Sequence, residues 1–96
     1  MAKYVVLVNF TDQGIRTVSE SVKRAKMSVS TFEKFGAKKT AQYWTMGQHD
    51  LVLVLEAPND ETAMKALLAV GKLGNVRTTT LRAFTADEMV PVTSAI

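Results

Sequence analysis

Two stretches of the chain are almost wholly aliphatic. "YVVLVNF" at positions 4–10 sets Val5, Val6, Leu7 and Val8 between two aromatic residues, and "LVLVLE" runs from Leu51 through Leu55 to Glu56. Both have the length and composition of β-strands, and each ends at polar residues. Between them, apolar residues recur from Ile15 at Val18, Val22, Ala25, Val29, Phe32 and Phe35, in steps of three or four. That spacing predicts a helix with one buried stripe, closed by Gly36 as a left-handed cap. Its middle, "MSVSTF", holds weaker helix formers, so a kink is expected there.

"AKKTAQYWTM" is rich in threonine and aromatics, and Gly47 supplies a turn before Leu51. These two segments read as a hairpin. "APNDETAMKALLAVGKLGN" places Pro58 and Asn59 ahead of two acids, then Ala63, Leu67 and Val70 at helical spacing, which predicts a second helix of about four turns. "VRTTTLRAFT" has strand composition. Pro91 is expected to keep residues 87–96 as an irregular C-terminal tail.

The resulting order, βαββαβ, is that of an α+β ferredoxin-like domain: a four-stranded antiparallel sheet with both helices on one face and strands one and three in the centre. Those central strands are the two aliphatic ones, apolar on both alternating faces. A sheet covered on one side only should carry polar residues on its open side. Here it does not, and a second copy packed sheet to sheet about a two-fold axis would cover it, so a homodimer or higher oligomer is expected. An RNA-recognition domain shares this topology but needs exposed aromatics on the central strands. The third strand has none.

Composition narrows the picture further. The chain has 96 residues, enough for one domain, with 47% hydrophobic and 22% charged residues. Its formal charge of +3 is dispersed, and only Lys23, Arg24 and Lys26 cluster, which reads as a solvated helix face. Nucleic acid is not indicated. There is no cysteine, hence no disulfide or thiolate chemistry. The apolar N-terminal run is too short to span a bilayer and lacks a cleavage site, so no membrane role and a cytoplasmic location are expected.

The only histidine, His49, stands beside Asp50 in "MGQHDLVLVLE". Neighbours on an extended segment point to opposite faces, which argues against an acid-base pair acting on one atom. Asp50 is expected to accept backbone hydrogen bonds in the turn, with His49 partly exposed. One histidine is a poor start for a metal site, and none is expected. Arg24 sits at the edge of the helical stripe, four residues after Glu20, a structural partner by spacing. Of Tyr43 and Trp44, one should face inward and the other outward. A pocket between sheet and helices edged by Arg24, Tyr43, His49 and Asp50 is the candidate ligand site, for a small hydrophobic or anionic molecule. No phosphate loop, nucleophile elbow, paired histidines or Ca²⁺ loop is present, and no cofactor is expected.

The segments "FTDQGI", Gly47 to Asp50, "EAPND" and above all "GNVRTTTLRAFTADE" resemble the GYD domain family across nearly the whole chain. The family's hairpin reads Gly-x-Tyr-Asp. Here Gly47, Gln48, His49 and Asp50 put histidine in the tyrosine's place, so any role needing a phenol there is lost. The resemblance implies a dimeric α/β-barrel and supplies no reaction. The expected function is therefore an oligomeric module that binds a small ligand or partner. A cofactor-independent oxygenase or isomerase acting on a hydrophobic molecule is the alternative, and a regulatory ligand-binding module like an ACT domain is a further one.

Overall fold

The structure, a computed structural model, describes every residue from Met1 to Ile96. Strands β1 (Ala2–Phe10), β2 (Lys38–Trp44), β3 (Leu51–Ala57) and β4 (Val76–Ala83) form one antiparallel sheet in the order β2-β3-β1-β4. The two aliphatic strands are the central pair, with Val5 opposite Val54 and Leu7 opposite Val52. This is the expected ferredoxin-like α+β arrangement. Period-two alternation divides each strand: Tyr4, Val6, Val8, Leu51, Leu53 and Leu55 are buried beneath the helices.

Helix α3 (Asp60–Gly71) begins where the sequence predicts, with the Asn59 side chain accepting from Thr62 N at 2.9 Å. The first predicted helix is instead three pieces: α1 (Asp12–Arg16), a 3-10 turn (Val18–Glu20) and α2 (Ser21–Lys34). The break falls at Thr17, ahead of the weak formers of "MSVSTF", which stay helical. Gly36 closes α2 as expected: Ala37 N donates to Phe32 O at 2.9 Å and Gly36 N to Glu33 O at 3.0 Å, with φ +88° at the glycine.

The predicted apolar stripe is only in part the face α2 buries: its Phe32 is buried and its Ala25 faces the sheet, but Val22 does not. Ser21 and Phe32 are its buried residues, while Val18 and Val22 are about half exposed. At 100° per residue, Val29 and Val22 lie about 80 and 100° round the helix from Ser21. Short polar links set this rotation: Trp44 Nε1 donates to Ser21 Oγ at 3.3 Å, and Lys39 Nζ donates to Ala25 O at 2.9 Å and Ser28 Oγ at 3.2 Å.

The predicted C-terminal tail is also a helix, α4 (Ala86–Ser94), with Pro91 inside it. A capping box overcomes the proline: Thr85 Oγ1 accepts from Glu88 N at 3.1 Å, and Glu88 accepts from Thr85 N at 2.9 Å. These bonds hold the Glu88 carboxyl below its usual range. No residue of α4 is buried. No helix is long and apolar enough to cross a membrane.

α1 is clasped to the start of β4. Thr11 N donates to Asn75 O at 3.0 Å and Thr11 Oγ1 to Gly74 O at 2.5 Å, leaving so little room that a Cβ on Gly14 would lie 1.9 Å from Asn75 O. Gly14→Ala is therefore expected to cost about 3 kcal/mol in urea denaturation. At the other end of the sheet, the Tyr4 hydroxyl donates to Asp60 Oδ1 at 2.5 Å. Burial, then the bond to Asp60 and its charge, raises the tyrosine above its usual range, with Arg82 opposing. The folded chain thus holds this proton more tightly than the unfolded one, a contribution complete below about pH 10 and lost as pH rises through the folded value. The stability gap between wild type and Tyr4→Phe is expected to be about 1 kcal/mol at neutral pH and to close in alkali, read by urea titrations at each pH.

Candidate functional site

The β2–β3 hairpin is tied to the end of β1 by a connected set of hydrogen bonds. Gly47 takes φ +112° in the turn, Thr45 N donates to Asp50 O at 2.8 Å, and Thr45 Oγ1 donates to His49 O at 2.6 Å. Asp50 N then donates to Val8 O at 2.9 Å, while Asp50 Oδ2 accepts from Phe10 N at 2.8 Å. The carboxylate thus extends the β1–β3 ladder by one more bond. Asn9 Nδ2 donates to Gln48 O at 2.8 Å, which turns its Oδ1 toward His49 Nδ1 at 2.9 Å. His49 therefore donates from Nδ1 and keeps Nε2 as its free nitrogen. His49 and Asp50 bond to different partners and do not form a pair.

The four candidate residues do not converge. Tyr43 lies opposite Val52 on the open face, 66% exposed. Trp44, its neighbour, turns to the helix side. Arg24 projects from α2 on the helical side of the sheet, where Nη1 donates to Thr17 O at 2.9 Å and Thr17 Oγ1 at 3.0 Å, and Nη2 to Gly14 O at 3.1 Å. Glu20 takes no part, because it lies in the 3-10 turn and the helical i, i+4 geometry does not apply. Arg24 instead secures the end of α1 by its carbonyls.

Between α2, α3 and the sheet lies a cavity of about 470 Å³. Val8, Leu51, Leu53 and Val76 form its floor, Leu67 and Val70 its α3 wall, and Ser21, Arg24, Ser28 and Gln42 its polar side. Tyr43, His49 and Asp50 do not line it. Of the predicted site, only Arg24 does. Gln42 and the neighbouring Lys39 escaped the sequence reading because a β-bulge between Lys39 and Ala41 breaks the strand alternation, and Ser21 and Ser28 because the apolar periodicity put a different face of α2 inward. It puts Lys39 and Gln42, three residues apart, on the same face, and Lys39 Nζ donates to the Gln42 amide oxygen. Burial lowers the Lys39 ammonium below its usual range.

Comparison with known proteins agrees with this architecture. The model of the family described as "GYD domain" matches residues 4–92. A Thermus thermophilus protein, named glutamine synthetase and cystathionine beta-lyase binding protein, is 33% identical over 91 residues, covering 94% of this chain and 96% of its own. The crystal structure of MtbAldR superposes with a TM-score of 0.67 at 12% identity over 88% of this chain and 52% of that one, so this chain spans about half its length. The crystal structure of TTHA0845, also from Thermus thermophilus, gives a TM-score of 0.58 at 22% identity, over 90% and 96% of the two chains. At these identities the two structures share a fold with this chain and nothing more specific. The family match over almost the whole length, together with the one-third-identical relative, makes this chain a member of the GYD domain family.

Proposed function

We propose that this protein is a homo-oligomeric binding module for protein partners, joined to a second copy through the open face of its sheet. The observation that carries it is the composition of that face. Val5, Leu7, Val52, Val54, Leu81 and Tyr43 lie on it in register, and no element of the chain covers them. Across four strands the patch is about 19 Å wide, and a contiguous apolar patch on the open face of a sheet marks an interaction surface. The charged residues sit at its ends, with Lys3 and Glu56 paired at 3.1 Å on one and Arg77 opposite Asn9 on the other. A second sheet stacked about 10 Å away would cover the apolar centre and leave these charges at the rim.

The name of the Thermus thermophilus relative supports a protein partner, since it describes binding to two enzymes. With the sheet face taken by a second copy, partners meet the helical side, where Val18 and Val22 are 45% and 52% exposed beside Lys23 and Lys26. The oxygenase or isomerase alternative requires His49 in a cavity, and its ring is bonded to Asn9 outside the one described above.

By light scattering after size exclusion, the protein is expected to show the mass of two chains or a multiple, and Val54→Lys that of one, because the substitution buries an unpaired charge in the contact. A wild-type protein of single-chain mass would sink the proposal. Val22→Glu is expected to weaken binding to purified glutamine synthetase roughly tenfold while leaving the oligomer intact. Absence of any binding by the wild type would remove that enzyme as a partner.

A further inference from the structure

The cavity beneath α2 has a chemistry of its own, independent of the self-association proposed above. Its volume of about 470 Å³ falls within the roughly 300–1,000 Å³ of small-molecule sites. The cavity exists because α2 turns Ser21, Ala25 and Ser28 inward, side chains too short to reach the aliphatic floor, while Val18 and Val22 point away. Phe32, buried on α2, also lines it.

Charge around this space is of one sign. Arg24 is the sole ionisable residue in the lining, and no aspartate or glutamate faces the cavity. Lys39 stands just behind it, bonded to Ser28 and Gln42, which both line it. Neither cation meets a carboxylate: Arg24 donates to the carbonyls of Gly14 and Thr17 and the Thr17 hydroxyl, Lys39 to a carbonyl, a hydroxyl and an amide. The chain's one ion pair, Lys3 with Glu56, is on the other face of the sheet. Two cations satisfied by neutral acceptors at the edge of an apolar cavity leave an unfilled demand for an anion, because a charged acceptor makes a bond about twice as strong as a neutral one.

We propose that this cavity binds a small amphipathic carboxylate, its apolar body on Val8, Leu51, Leu53 and Val76 and its head between Arg24 and Lys39. The carboxylate takes the place of the Gln42 amide oxygen as acceptor for Lys39 and draws on the guanidinium donors of Arg24 that the α1 carbonyls leave free. Burial already depresses the Lys39 ammonium, and an anion beside it restores the charged form.

Octanoate and 1-octanol, which share a chain and differ in the head, test this by titration of the intact protein followed through its backbone amide NMR shifts. Octanoate is expected to move the amides of Ser28, Gln42 and Leu53 saturably, and to bind at least roughly tenfold more tightly than octanol. Arg24→Met should bring octanoate down to the level of octanol, and Arg24→Lys should keep the preference. Ala25→Leu fills the space and should abolish binding of both with no loss of thermal stability. The proposal fails if no saturable shift appears, if the two probes bind equally, if the shifts centre on Val5 and Val54 of the open face, or if binding survives Ala25→Leu. Masses of the same samples by light scattering report the oligomer separately, so failure of the ligand site and failure of the sheet-face contact are distinguished.

Discussion

β1 is hydrogen-bonded along both edges, to β3 on one side and β4 on the other, and this central position governs most of what the molecule can do. With the backbone engaged in the sheet, its side chains have to divide between two faces with period two. Tyr4, Val6 and Val8 go under the helices. Lys3, Val5, Leu7 and Asn9 go to the other side, where β3 adds Val52 and Val54 and β4 adds Leu81. A strand with valines and leucine on both faces cannot leave one face in water without cost, and each such residue is worth about 1.5–3 kcal/mol when buried. The demand for a second covering layer is built into the middle of the fold.

The helical layer answers a different constraint. α2 is oriented by polar links to Ser21, Ala25, Ser28 and the carbonyls of α1, and these outweigh the burial of its valines. A hydrogen bond left unmade in a half-buried setting costs about as much as one aliphatic side chain gains. Three or four links fixed at one end can therefore set the rotation of a fourteen-residue helix. The result is a cavity where a packed core would otherwise stand, and an apolar ridge on the outside. Both features follow from one rotation.

The hairpin that holds His49 and Asp50 is best understood as a joint. Asp50 finishes the β1–β3 ladder through Phe10 N, and His49 is held by Asn9, whose amide is itself held by Gln48. The His49 ring donates one hydrogen bond, through Nδ1 to Asn9, and leaves Nε2 without a protein partner. The four residues that proximity in sequence and polarity marked as one site are distributed over the hairpin, the open face and the underside of α2.

By itself the sequence determined the strands, their order and the ferredoxin-like topology, because aliphatic runs, Asn59, Gly36 and Gly47 act over a few residues and need no distant partner to be read. It also determined that the central strands are apolar on both faces. What only the tertiary structure decided lies wherever a local preference met a competing contact. The Thr85 and Glu88 capping box kept α4 helical despite Pro91. A single bulge at β2 brought Lys39 and Gln42 together, and the orientation of α2 turned Ser21 and Ser28 inward and Val22 outward. Alternation and helical periodicity describe regular elements, and a one-residue bulge or a turn of some 60° moves a side chain to another surface without leaving a trace in the pattern.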